Sequence, residues 1–302
     1  MTKQPSFVPR PVFADEELDL QRRIAIQRFI DERKNGGDVR YRKAFAEYRG
    51  VVEQLFRATA YLRNLDGAVL RDNPALLEAA RFLVAPPVSE DDLDTLVGHR
   101  VAGRKRLPAE LAQSALDVLG AMIDVIRCPW LTEGREPTQY EAKEAVDWTT
   151  GLLAVEQLRT ERRTESAKRQ QDAVAHLLLS CGWLEDARTT INVVDGLPRG
   201  HFCRETEVAG AKCDVPIRLQ DGRLLALECK VSNSGTNSVK RLIRETCGKA
   251  DLWRHAFGEQ VITGAVLSGV FKLKNLREAQ NDRGVALFWE HDLSRLEEFV
   301  RA

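Results

Sequence analysis

An eight-residue run, Leu224–Val231, combines the composition of a buried β-strand with two charged side chains. The run reads Leu-Leu-Ala-Leu-Glu-Cys-Lys-Val, and a continuous apolar stretch of this length is typical of a strand covered on both faces. Glu228 and Lys230 would therefore be buried, which is unfavourable unless each charge has a partner. The run predicts a central strand that carries either a structural ion pair or a metal site.

The setting of this Glu-x-Lys pair is more informative than its spacing. The same spacing occurs at Glu32/Lys34 and at Glu141/Lys143, inside patterns of helical periodicity. A solvated helix face explains those two pairs without any function. Only the pair at Glu228 interrupts an apolar strand, so it is the candidate for chemistry.

The segment before this strand, Asp214–Gln220, alternates polar and apolar residues and predicts a partner strand. A two-residue turn between the strands would put Asp214 on the face opposite Glu228. A three-residue loop over residues 220–222 would place Gly222 at the left-handed position that such loops favour. Asp214 would then lie directly across from Glu228, on the same face as Lys230, and Cys213 would pair with Cys229.

Two carboxylates opposed across a sheet repel each other, and a divalent cation between them reverses that interaction. Oxygen ligands of this kind suit Mg²⁺, which would polarise a phosphate and lower the pKa of a bound water. Lys230 could orient the attacking water or offset negative charge as a phosphodiester is cut. In the alternative interpretation Asp214 is exposed and Glu228 forms a purely structural pair with Lys230.

A polar, glycine-containing loop follows this strand and leads into a predicted helix, Ser238–Phe257. Hydroxyl, amide and free N–H groups at a helix start are suited to phosphate oxygens, although Ser238 could equally be a helix cap. Two basic residues in the first turn oppose the usual preference for acids there. The candidate DNA-backbone contacts are Ser232, Asn233, Ser234, Asn237, Ser238, Lys240 and Arg241.

The two halves of the chain differ in pattern. Up to about residue 160 the apolar residues follow helical spacing, and Ser89 before three acids predicts a helix start. A separate amphipathic helix is predicted at Gln170–Cys181, and short β-rich runs alternate with helices from Thr189 onward. This order predicts an α/β or α+β fold with a central sheet. We expect a helical domain at 1–160, for DNA recognition, dimerisation or both, and a catalytic domain at 161–302.

The composition is that of a soluble globular protein, with 43% hydrophobic and 30% charged residues and no net charge. No apolar run approaches the length of a membrane span, and the N-terminal residues lack a secretory pattern, so a cytoplasmic protein is expected. The zero net charge argues against a protein that merely coats DNA. The six cysteines form no CxxC pair and favour reduced core thiols over a zinc site at Cys203, Cys213 and Cys229.

The residues Asp214, Glu228 and Lys230 resemble the core of the PD-(D/E)xK nucleases. The surrounding sequence resembles that of the XamI family of Type II restriction endonucleases, and the similar stretches lie in both halves of the chain. They are residues 86–93, 129–137, 227–242, 266–271 and 287–293.

The resemblance implies a Mg²⁺-dependent enzyme that recognises a short, palindromic DNA site and cleaves both strands. It implies Asp214 and Glu228 as metal ligands, Lys230 as the catalytic lysine, and Glu205 as a candidate further ligand. It also implies a homodimer whose functional partner is a protective DNA methyltransferase. One departure is that Cys213, and not proline, precedes Asp214.

Two other functions remain open from the sequence. A structure-selective repair nuclease could use the same three residues to cut flaps, mismatches or ends. A non-catalytic DNA-binding module could retain the fold without the reaction, although the presence of all three residues argues against loss of activity.

Overall fold

A computed structural model describes residues 7–302, which pack into two compact units. The helical unit is Gly36–Arg162, and the sheet unit is Arg163–Ala302 together with the N-terminal residues up to Asn35. The predicted functional domains, 1–160 and 161–302, stay a prediction. No helix within residues 7–302 has the length and apolar character to cross a membrane.

The α-helices are α1 (Asp15–Lys34), α2 (Gly37–Ala58), α3 (Ala68–Arg71), α4 (Pro74–Arg81), α5 (Glu90–Val97), α6 (Ala109–Gly120), α7 (Trp130–Glu133), α8 (Gln139–Ser180), α9 (Gly235–Ser238), α10 (Gly248–Phe257), α11 (Leu273–Arg277) and α12 (Ser294–Arg301). The strands are β1 (Leu184–Glu185), β2 (Thr190–Ile191), β3 (His201–Phe202), β4 (Thr206–Val208), β5 (Ala211–Cys213), β6 (Val215–Arg218), β7 (Leu224–Ser232), β8 (Val261–Gly269) and β9 (Ala286–Trp289).

The helical unit has its own apolar core, in which Phe56, Leu93 and Trp130 are fully buried. The predicted start of α5 is confirmed, because the Ser89 hydroxyl accepts from the Asp92 N–H while the Asp92 carboxylate accepts from the Ser89 N–H. This part of the chain is helical, as the periodicity predicts.

Helix α8 corrects one prediction, because it runs without interruption from Gln139 to Ser180. The separate helix expected at Gln170–Cys181 is the end of α8. The basic, polar segment that suggested a break, residues 159–169, contains neither glycine nor proline. Polar residues alone do not interrupt the backbone hydrogen bonds of a helix, so nothing ends α8 there.

The sheet unit is built on a six-stranded mixed sheet, the main sheet, with the order β1-β3-β6-β7-β8-β9. Strand β7 pairs antiparallel with β6 and parallel with β8, so it is a central strand, as its apolar sequence predicts. One face of the main sheet packs on the end of α8 and on α12, and the other packs on α1, α10 and α11. The fold class is therefore α/β, in agreement with the prediction.

The predicted three-residue loop between β6 and β7 is confirmed. Val215 pairs with Leu227, and the Leu219 N–H donates to the Arg223 carbonyl at 2.8 Å. Gly222 has φ +94°, which is the left-handed conformation that this loop requires. The loop therefore sets the register that directs Asp214 and Glu228 to the same region.

The pairing of Cys213 with Cys229 is wrong. The chain bends at Asp214, so Cys213 belongs to β5 in a second, three-stranded sheet with the order β2-β4-β5. There Cys213 pairs with Thr206 and packs near Trp253, whereas Cys229 packs on the other face of the main sheet. Asp214 thus occupies the corner where one segment passes from the small sheet to the main sheet.

The helical segment after β7 begins earlier than predicted. It starts at Gly235 and continues through a π-helix, Val239–Cys247, into α10. Its cap is Ser234, whose hydroxyl accepts from the Asn237 N–H at 3.2 Å. Ser238, the alternative cap considered from the sequence, lies inside the helical segment.

Candidate active site

Two carboxylates, one from β7 and one from the corner before β6, define the centre of the candidate site. Glu228 lies in the middle of β7 and has no exposed surface, because its strand is covered on both faces. The Asp214 side chain is 16% exposed, and its Oδ2 accepts a hydrogen bond from the Cys229 N–H at 2.7 Å. The corner between the two sheets thereby fixes the Asp214 carboxylate against the backbone of β7.

Lys230 contacts both carboxylates. Its Nζ lies 2.7 Å from Glu228 Oε2 and 3.5 Å from Asp214 Oδ2. Burial acts to lower the pKa of Lys230, but the negative charges of Glu228 and Asp214 outweigh that effect and raise it above its ordinary value. Lys230 is therefore paired as an ammonium with both carboxylates and can donate hydrogen bonds to them.

Lys249 is a fourth charged member of this cluster that the sequence analysis missed. It lies in the first turn of α10, and its Nζ is 3.0 Å from Glu228 Oε1 and 2.8 Å from Glu228 Oε2. The same Nζ donates to the Lys212 carbonyl at 2.5 Å. Helical periodicity places Lys249 in a helix, but nothing local in the sequence distinguishes it from the exposed lysines nearby.

Glu205 does not join the two carboxylates. Its side chain is 55% exposed and accepts from Lys212 Nζ at 2.9 Å and from Gln171 Nε2 at 3.3 Å. Those two donors lower the pKa of Glu205, with the lysine contributing most. Its backbone nevertheless lies next to the site, since the Glu205 N–H donates to the Asp214 carbonyl at 2.9 Å.

The donor set fits a hard divalent cation with few protein ligands. Within residues 7–302 no three His, Cys, Asp or Glu side chains converge to hold a metal ion. The carboxylates of Asp214 and Glu228 do converge, because Lys230 Nζ contacts both of them. Such a pair of oxygen donors suits Mg²⁺, which keeps several waters and leaves positions for phosphate oxygens.

The cysteines near the site do not supply thiolates. Burial raises the pKa of Cys213 and of Cys229 well above the ordinary value, and burial also raises the pKa of Cys203. The three cysteines considered for a zinc site are divided between two apolar clusters, with Cys203 and Cys213 in one and Cys229 in the other.

The predicted DNA-backbone residues divide into two groups. Ser232 and Ser238 are fully buried: the Ser232 hydroxyl donates to the Ser234 carbonyl, and the Ser238 hydroxyl donates to the Gly235 carbonyl and accepts from Asn275 Nδ2. These hydroxyls order the loop inside the protein. They are not accessible for a direct phosphate contact.

The second group is nearer the surface. Asn233, Asn237 and Lys240 are exposed. Arg241 is partly exposed and lies 3.3 Å from Glu245 in an ion pair within the π-helix. Together with the partly buried Ser234, these side chains stay candidates for contacts with the DNA backbone.

Comparison with known proteins confirms the family resemblance seen in the sequence. The family described as XamI restriction endonuclease matches residues 60–289, which include Asp214, Glu228 and Lys230. The chain is 37% identical over 223 residues to the Type II restriction enzyme XamI of Xanthomonas campestris pv. amaranthicola. That similarity covers 71% of this chain and 81% of the relative. No solved structure matches the chain.

Proposed function

The chain belongs to the XamI restriction endonuclease family, and from that premise we propose that it hydrolyses double-stranded DNA at a short specific sequence with Mg²⁺. In this proposal Asp214 and Glu228 hold the metal ion, and Lys230 is the catalytic lysine. The observation that carries the proposal is the convergence of two carboxylates, from β7 and from the corner before β6, on one buried ammonium.

Each of the three side chains has a distinct part in the reaction. Mg²⁺, when bound, supplies positive charge to a phosphate oxygen and acidifies a water. Asp214 is held in place by the Cys229 N–H, and Glu228 is held by its strand, so neither carboxylate must be ordered when the metal ion binds. Lys230 keeps its proton and donates toward the scissile phosphate, where negative charge develops.

DNA binding is proposed to use the residues at the end of β7. Asn233, Ser234, Asn237, Lys240 and Arg241 stand near the surface and follow Glu228 in the chain. Amide and hydroxyl groups and positive charges suit the phosphate backbone, which positions a nuclease without reading sequence.

The remaining parts of the proposal follow from the reaction. A short palindromic site is matched by a protein with two-fold symmetry, so a homodimer is expected to cut both strands. A cell that makes such an enzyme in its cytoplasm must protect its own DNA, which calls for a cognate methyltransferase as functional partner.

Cleavage of plasmid DNA tests the proposal. The purified protein should produce discrete fragments with Mg²⁺ and none with EDTA. Lys230→Ala should lower the cleavage rate at least about a hundredfold, as expected when a charge that stabilises the transition state is removed. Lys274→Ala, which removes an exposed lysine of α11, is the matched control and should cleave as the wild type does.

Other results of the plasmid experiment would contradict specific parts of the proposed function. Cleavage at flaps or mismatches without discrete fragments would favour the repair nuclease. Metal-sensitive DNA binding without cleavage would favour the non-catalytic module. Equal rates for wild type and Lys230→Ala would remove Lys230 from the active site.

A further inference from the structure

Lys249 holds the buried carboxylate of Glu228 differently from Lys230. Lys230 Nζ contacts one oxygen, Glu228 Oε2, at 2.7 Å. Lys249 Nζ is within hydrogen-bond distance of both oxygens, at 2.8 and 3.0 Å, and also donates to the Lys212 carbonyl. Lys249 therefore connects α10 to β7 and to β5 through the same nitrogen.

The four charges of the cluster balance each other. Asp214 and Glu228 are negative, and Lys230 and Lys249 are positive. A fully buried carboxylate such as Glu228 needs a compensating positive charge, because an unpaired ion in the protein interior is strongly unfavourable. The two lysines provide that compensation without any metal ion.

A divalent cation on Glu228 conflicts with this arrangement. The cation would bind Oε1 or Oε2, and Lys249 Nζ already lies 3.0 Å from the first oxygen and 2.8 Å from the second. A doubly charged ion and an ammonium within a few ångströms repel each other strongly where water is largely excluded. This repulsion favours the displacement of one ammonium when the cation binds Glu228.

Lys249 is better placed to move than Lys230. The Lys249 side chain is 26% exposed, whereas that of Lys230 is 10% exposed. The four-carbon stem of a lysine is flexible, and an ammonium is favourably hydrated when it reaches water.

We infer that Lys249 is an internal counterion of Glu228, which occupies the carboxylate until a divalent cation displaces it. This role rests on the proposed metal site at Asp214 and Glu228. Lys249 is a positioning residue in this scheme, since it acts through Glu228. It weakens binding of the cation to the free protein, and the four side chains with a bound divalent ion carry a net charge of +2 that favours DNA phosphates.

Calcium titration of the full chain without DNA, followed by isothermal calorimetry, tests the inference. Lys249→Met removes the charge but keeps the stem, and it should bind Ca²⁺ at least about tenfold more tightly than the wild type. Lys249→Arg keeps the charge and should bind Ca²⁺ about as weakly as the wild type. Lys274→Met, an exposed lysine removed from α11, should leave the affinity unchanged.

Thermal unfolding gives an independent measurement of the same role. In EDTA, Lys249→Met should unfold at a lower temperature than the wild type, because Glu228 loses one counterion. Added Ca²⁺ should raise the unfolding temperature of the variant by more than that of the wild type. If Lys249→Met does not fold, Lys249→Gln, which keeps a hydrogen bond to Glu228 without the charge, carries the same predictions.

The outcomes separate this inference from the proposed function. Ca²⁺ affinity that is unchanged or weaker in both uncharged variants would overturn the counterion role and leave the metal site intact. Ca²⁺ binding that is absent from both the wild type and Lys249→Met, or unaffected by Asp214→Asn with Glu228→Gln, would overturn the proposed metal site and the counterion role with it. If Lys249 only supported the structure of the site, its removal would weaken Ca²⁺ binding.

Discussion

Charged side chains in the interior of this protein are consistently paired. Arg127 in the helical unit is an example, since only 4% of its side chain is exposed. Its guanidinium lies 2.8 Å from Asp124 and donates to the carbonyls of Phe82 and Val84 and to the Thr149 hydroxyl. A planar group with five donors can satisfy all of these acceptors at once. Arg127 thereby ties separate segments of the helical unit together.

Asp124→Asn should therefore lower the free energy of unfolding by about 3 kcal/mol, because it leaves a buried guanidinium without its counterion. Urea unfolding at pH 7 measures this difference. The control is Asp117→Asn. Asp117 accepts a hydrogen bond from Gln113, but within residues 7–302 it forms no ion pair like that of Asp124 with Arg127.

The pH dependence of that difference has a definite sign. Burial acts to raise the pKa of Asp124, but hydrogen bonds from Arg127 and the Ile126 N–H outweigh it, so the pKa lies below 3.8. A lowered pKa stabilises the folded state above the unfolded-state value and loses that effect as pH falls through the folded-state value. The gap between wild type and Asp124→Asn should stay constant above about pH 5 and shrink below pH 3.8. A gap that widens in acid would contradict the assignment.

At the scale of elements, the β6–β7 hairpin decides whether the carboxylates of Asp214 and Glu228 meet. Side chains alternate along a strand, so a shift of one residue would send Asp214 and Glu228 to opposite faces. The loop prevents that shift through Gly222, whose N–H donates to the Leu219 carbonyl at 3.0 Å while its backbone is left-handed. The Asp221 carboxylate strengthens the loop by accepting from the Arg223 N–H at 2.9 Å.

Gly222→Ala should lower the free energy of unfolding by about 1–2 kcal/mol, because an L-residue is disfavoured at this positive φ. The matched control is Gly50→Ala in the middle of α2. That position has open space for a methyl group and should become more stable by about 0.5–1 kcal/mol. Chemical denaturation measures both changes. A Gly222→Ala variant as stable as the wild type would show that the loop does not depend on a left-handed glycine.

At the scale of the whole molecule, the N-terminal residues complete the sheet unit. Phe13 and Leu18 are buried in the apolar cluster that also contains Leu267 and Trp289. Phe13 also exchanges two hydrogen bonds with the Gln280 side chain, at 2.8 and 3.1 Å. Helix α1 thus covers part of the main sheet, although it precedes the helical unit in the chain.

Deletion of residues 1–35 should therefore destabilise the sheet unit. Each large apolar side chain removed from the interior contributes about 1.5–3 kcal/mol, and the deletion also uncovers Leu267 and Trp289. Hydrogen exchange should increase most in β8 and β9, and binding of a hydrophobic dye should rise.

A pair of point variants separates packing from the loss of chain length. Leu18→Ala empties a buried position in α1 and should cost about 2–5 kcal/mol. Leu20→Ala changes a side chain that is 48% exposed in the same helix and should cost about 0.5 kcal/mol or less. Equal effects of the two substitutions would mean that α1 does not pack on the sheet as described.

Several features were predictable because their causes lie within a few residues of one another. The start of α5 depends on Ser89 and Asp92, three positions apart, and the register of the β6–β7 hairpin depends on Gly222 in a three-residue loop. With that register, Asp214 just before β6 and Glu228 in β7 reach the same lysine. Periodicity, capping and loop geometry act locally, so the order of residues alone is sufficient to predict them.

The tertiary structure alone decided the features that depend on packing between distant segments. The approach of Lys249 to Glu228 across 21 residues and the burial of Ser238 against Asn275 depend on how helices and strands pack together. The packing of α1 on the main sheet has the same origin. The fit of side chains between elements depends on three-dimensional shape and on the exclusion of water. The spacing of residues along the chain predicts neither of them.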